Sequence, residues 1–77
     1  MKTEIFLNEL SEELELEDIE LSIDTDLRNL DEWDSMAVMI VIGYASDNFN
    51  VNLTGEDLND ISTIKTLIEL IGNEKFD

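Results

Sequence analysis

The 77-residue sequence contains no cysteine, no histidine and no proline. Without cysteine there is neither a disulfide to staple a small fold nor a thiolate to hold a metal. Without histidine the commonest general base and zinc ligand are missing, and every Ser-His or Cys-His dyad is excluded. The three glycines, Gly43, Gly55 and Gly72, lie far apart, so no linker stands out and no repeat is visible. Basic residues are scarce: four against twenty acids, for a formal net charge of −16. Such a chain repels nucleic acid and anionic lipid, and neither is expected as a partner. A protein partner should carry a basic surface, and salt should weaken the encounter by screening over about 8 Å. No apolar run approaches the ~18 residues of a membrane span. The opening "MKTEIFLNEL" also lacks a signal peptide's uninterrupted apolar region, so a cytoplasmic protein is expected.

What is present is a core. Hydrophobic residues make up 43% of the chain, too many for a disordered segment. The length suits one small domain over residues 1–77, able to bury about 60% of its unfolded surface. Phe6, Leu7, Leu10 and Leu14 fall at three- and four-residue steps and predict an amphipathic helix over 3–14, with Thr3 and Glu4 at its start. Residues 15–34 sustain no period. They read as a long loop pinned to the core by Ile19, Leu21, Ile23, Leu27, Leu30 and Trp33, and that length hints at function. From Ser35 to Phe49, the residues Val38, Val41, Ile42, Ala45 and Phe49 form a helical stripe, with Asp34 or Ser35 as its cap. The β-branched residues Val38, Ile40, Val41 and Ile42 could argue for a strand, but the length of the run and the cap favour a helix. Asn50 and Asn52 suit a turn, and Leu53 is a core anchor. Thr54 and Asp57 resemble a capping box ahead of a short helix near 55–60. Ile64, Leu67, Ile68 and Ile71 predict a last helix, with Ser62 or Thr63 as cap and Gly72 as stop.

Few patterns here carry chemistry. "DTDLRNLDEWDS", from Asp24, opens like a calcium loop. It then has Arg28 at the fifth position, Asn29 where glycine is needed, and Ser35 where a bidentate Glu should close it. No metal site is assigned. Paired carboxylates occur by chance on a surface this acidic, and no Gly-rich phosphate loop exists. Ser35 stands apart. As a nucleophile it lacks a base. At a helix start it serves either as a cap or as the anchor of a covalent phosphate, whose charge the free amides and helix dipole would stabilise.

"DSM" at 34–36, opening an apolar helix after a long loop, resembles the Asp-Ser-Leu motif of acyl carrier proteins. "FNVNLTGEDLNDISTIKTLIELI", 49–71, is similar to that family's Phe-x-x-x-Ile, short third helix, Ile-x-Thr-Val and closing helix. Leu27 stands where the family has a loop hydrophobe, seven residues before the Asp, and the resemblance spans essentially the whole chain. It implies an all-α, acyl-carrier-like four-helix bundle with three main helices, one short helix and a long first loop. It also implies that Ser35 receives a 4'-phosphopantetheine arm from coenzyme A, with Asp34 and Met36 flanking the site. The arm would supply the thiol that the polypeptide lacks. The protein would then be a monomeric carrier of acyl thioesters and not an enzyme. A phosphopantetheinyl transferase and acyl-transferring, acyl-activating and condensing enzymes would be its partners, in fatty-acid or specialised (polyketide, surface-polysaccharide) biosynthesis. Ile42, Ala45, Phe49, Leu53, Ile61, Leu67 and Ile68 would line an interior able to shelter a short chain.

Two departures bear on the partners. Fatty-acid carriers place several acids on the second helix, whereas here Asp47 is its only one, and Ala37 and Ile40 stand where that pattern has acid. Met36, Met39, Ile40 and Tyr44 cannot all face inward beside the stripe. Either some cover the core, or they present an apolar docking face. The reading adopted is a partner face of Met36, Met39, Ile40 and Asp47. Trp33, ahead of Asp34, either closes the loop over the core or marks resemblance to stand-alone carriers of specialised pathways with a Trp-Asp-Ser motif. The alternative to a carrier is an acidic helical protein-binding module without a prosthetic group, in which Ser35 only caps a helix. A calcium-responsive helical protein is a third reading, weakened by the failed loop.

Overall fold

In a computed structural model that describes residues 1–16 and 19–76, the chain runs through four α-helices. These are α1 (Thr3–Glu13), α2 (Ser35–Phe49), α3 (Gly55–Asn59) and α4 (Ile64–Ile71), with 3-10 turns at Leu27–Asn29 and Asn73–Lys75. Among the described residues there is no β-strand, and the arrangement is the small all-α bundle of three longer helices and one short one that the resemblance implies. Glu17 and Asp18 of the long loop, and Asp77, lie outside the described residues.

Side-chain caps explain most of the helix starts. Asp34 caps α2, Thr54 and Asp57 form a reciprocal box on α3, and Thr63 forms one with Thr66 on α4. Each box satisfies two backbone donors that a helix start leaves without partners. α1 differs from its expected start: Lys2 is the capping residue, makes no side-chain bond there, and Thr3 is already helical. At the other end of α2, Asn50 adopts a left-handed conformation (φ 57°), a role that asparagine tolerates well. Gly72 ends α4 with φ 127°, where any Cβ would meet the Glu74 carboxylate.

Among the described residues the buried side chains are all hydrophobic, and Phe6, Leu10, Leu27, Val41, Leu58, Ile64 and Leu67 are the largest of those fully enclosed. Burying each of the larger side chains favours folding by about 1.5–3 kcal/mol. Phe6 anchors an aromatic group in which its ring lies 5.7 Å from Tyr44, 6.1 Å from Phe49 and 5.1 Å from Phe76.

The phase of α2 corrects the expected stripe. Its buried residues are Ala37, Val41, Tyr44, Ala45 and Phe49, while Val38 and Ile42 are only half-buried. A helix apolar around most of its circumference has no periodicity from which a phase can be read. Contacts with α1 decide it: the Tyr44 ring packs at a tilt against Phe6, and its hydroxyl donates to Glu9 Oε1 at 2.6 Å.

The long loop is tied down by backbone bonds as much as by apolar anchors. Leu27 N donates to Ser62 O at 2.7 Å, Ile64 N to Thr25 O at 3.1 Å and Lys65 N to Ile23 O at 2.9 Å. The Arg28 guanidinium adds bonds to the carbonyls of Ile61 and Asn59. Of the expected anchors, Leu21 and Leu27 are buried and Ile19, Leu30 and Trp33 half-buried. Ile23 is exposed, contrary to expectation, because its tie to α4 runs through its carbonyl. Leu16 is buried in addition, and Leu7 of α1 is half-buried.

Candidate functional site

The end of the loop and the start of α2 set the geometry around Ser35. Asp34 is extended (φ −125°, ψ −170°), and its Oδ1 accepts the Ala37 amide at 3.0 Å. Asp34 is therefore the cap, and Ser35 is the first residue of the helix. Ser35 is exposed, and its hydroxyl has no hydrogen-bond partner among the described residues. The first-turn amides have no acceptor within the helix and carry the positive end of a 15-residue dipole. An anion joined to the Ser35 oxygen would meet that positive end without displacing the cap. These features fit a covalently attached phosphodiester.

Beside Ser35 an open groove of about 510 Å³ runs between α2 and α3. Trp33 and Val38 border it, with Ile42, Gly55 and Asn59 further along. Trp33 is half-buried and packs against the core, so it closes the loop and also walls the groove. Val38 and Ile42 face this opening because of the rotated phase of α2. Sequence reasoning placed Val38 in the core and missed its place here. Of the seven residues expected to line an interior, only Ile42 borders the groove. Ala45, Phe49, Leu53, Ile61, Leu67 and Ile68 are buried in the core.

The expected partner face is drawn together on the outside of α2. Met36 and Met39 are 71% and 72% exposed, Asp47 is exposed, and Ile40 is half-buried. Tyr44 does not join them. Burial first, then its hydrogen bond to Glu9 and the negative charges of Glu9 and Glu13, holds its phenol well above the ordinary value. Among the described residues no three His, Cys, Asp or Glu side chains converge on a metal position. No helix among them is long and apolar enough to cross a membrane.

Comparison with curated proteins and with solved structures returned no match. A family model did match, over residues 4–71: that of the phosphopantetheine attachment site. The match takes in α2, α3, α4, all of α1 but Thr3, and the Asp34–Ser35 junction, and a domain of this kind carries covalently attached 4'-phosphopantetheine. The chain thus belongs to the phosphopantetheine-attachment family, as a carrier of the acyl-carrier type.

Proposed function

We propose that Ser35 is the attachment residue, and that the chain carries acyl intermediates as thioesters on the arm fixed there. One observation carries this reading: Asp34 does the capping, so the Ser35 hydroxyl is exposed at the helix start and unengaged by any of the described residues. The group itself supplies a flexible tether ending in a thiol. The residues around it bind and orient. The first-turn amides of α2 would hold the phosphate, Trp33, Val38 and Ile42 would offer an apolar bed to the arm, and Asp34 and Met36 would flank the serine for the transferase. A short acyl chain would reach past Ile42 into the interior formed by Ala45, Phe49, Leu53, Ile61, Leu67 and Ile68.

The chemistry of loading, transfer and condensation would belong to partners. These are a phosphopantetheinyl transferase and the acyl-activating, acyl-transferring and condensing enzymes of fatty-acid or specialised biosynthesis. They would meet Met36, Met39, Ile40 and Asp47. Residues 1–77 would act as one carrier domain, monomeric, cytoplasmic and without catalysis of their own.

Incubation with coenzyme A and a broad-specificity phosphopantetheinyl transferase tests the proposal by intact mass. Wild type should gain one phosphopantetheine and Ser35→Ala none. A mass that stays unchanged in wild type, or rises in Ser35→Ala, overturns it. An unchanged mass is what an acidic binding module without a prosthetic group would give.

A further inference from the structure

The acids missing from α2 stand next to it on α1. Glu9, Glu12 and Glu13 share one face of α1, at i, i+3 and i+4. With Met39, Ile40, Gly43 and Asp47 of α2 they line a second open cleft, again of about 510 Å³. Glu9 is occupied by the Tyr44 hydroxyl. Glu12, Glu13 and Asp47 are exposed and have no basic partner among the described residues. The cleft therefore has an apolar lip on α2, Met39 and Ile40, with Asp47 further along it, and a carboxylate lip across from it on α1.

Gly43 gives the cleft its shape. It lies in the interior of α2, where glycine is less favourable than almost any other residue. A Cβ added there would meet nothing within 4 Å, so the fold does not require its small size. The missing side chain leaves a notch in α2 between Met39 and Asp47, open to whatever approaches from outside.

We infer that this α1–α2 cleft, which runs along α2 from Met39 toward its C-terminal end, is the docking surface for a partner enzyme. The partner would lay a helix or loop over Gly43, set apolar side chains against Met39 and Ile40, and direct Lys or Arg at Glu12, Glu13 and Asp47. A net charge of −16 with unpaired carboxylates along the lip favours a basic partner over a second copy of this chain. The inference rests on the carrier reading. It differs from that reading in placing half of the recognition on α1.

The test uses coenzyme A and a phosphopantetheinyl transferase with a basic carrier-binding face. Loading kinetics would be compared for wild type, the double variant Glu12→Lys/Glu13→Lys, Gly43→Gln, and the control Glu69→Lys on the exposed side of α4. The double variant should lose about tenfold in kcat/KM through KM, and most of its salt dependence. Gly43→Gln should load poorly although it melts no lower than wild type, because glutamine favours the helix interior. The control should load as wild type does. If wild type loads and either test variant matches it, the docking surface is wrong while the carrier reading stands. If wild type does not load, both fall.

Discussion

Asp34 and Ser35 divide between them two tasks at the start of α2. The Asp34 carboxylate takes the Ala37 amide at 3.0 Å, and the Ser35 hydroxyl next to it stays exposed, with no partner among the described residues. Had Ser35 been the cap, modification would have cost the helix its start. The division keeps attachment and folding chemically separate.

Substitution of Asp34 should therefore act first on stability. Asp34→Ala removes the cap of a 15-residue helix and should lower stability by about 1 kcal/mol. In a domain of this size that is a fall of about 4–8 °C in Tm. Asp34→Ser should recover most of it. A thermal melt followed by far-UV circular dichroism is the check.

Arg28 should matter more than its exposed position suggests. Its Nε donates to Ile61 O at 2.9 Å and its Nη2 to Asn59 O, closing the long loop against the α3–α4 connection. Lysine cannot present two donors in that fork. Arg28→Lys should cost about 1.5 kcal/mol, read by urea unfolding, with an unchanged slope against denaturant.

Tyr44 gives an alkaline limb to stability. Its phenol titrates above the ordinary 10.0 in the folded protein, so the folded state holds that proton more tightly than the unfolded chain does. The stabilisation is complete below pH 10 and is lost as pH rises from there through the folded value. Tm should fall across that range in wild type. Tyr44→Phe should flatten the limb while losing the bond to Glu9.

Charge repulsion should be visible too. With twenty acids and four bases, adding salt from about 20 mM to about 500 mM shrinks the screening length and should raise Tm by several degrees. Near pH 4, where carboxylates protonate, the same addition should do little.

The bounds of α2 and α4 were legible in the sequence because Asp34–Ser35 and Ser62–Thr63 stand before apolar runs and Asn50 and Gly72 stand after them. The Thr54–Asp57 box was legible for the same reason. Its counterpart at Thr63–Thr66 was not, since threonine at the third position is not the acid or amide that usually marks a box. The face of α2 was illegible. Apolar residues on most sides leave the choice to Phe6 and Glu9, which are distant in sequence from Tyr44. The clamp from Thr25, Leu27 and Arg28 to the α3–α4 connection runs through backbone carbonyls, which carry no side-chain signature. Around Ser35 the motif was plain, whereas the groove beside it depended on the phase of α2 and emerged only in the fold.

The most direct measurement is the fragment spectrum of the peptide spanning residues 29–65, released by cleavage after Arg28 and Lys65, taken after incubation with coenzyme A and the transferase. Attachment at the start of α2 predicts the added phosphopantetheine on Ser35 and on no other residue. The group on another hydroxyl, such as Ser46 or Thr54, or no group at all, would contradict it.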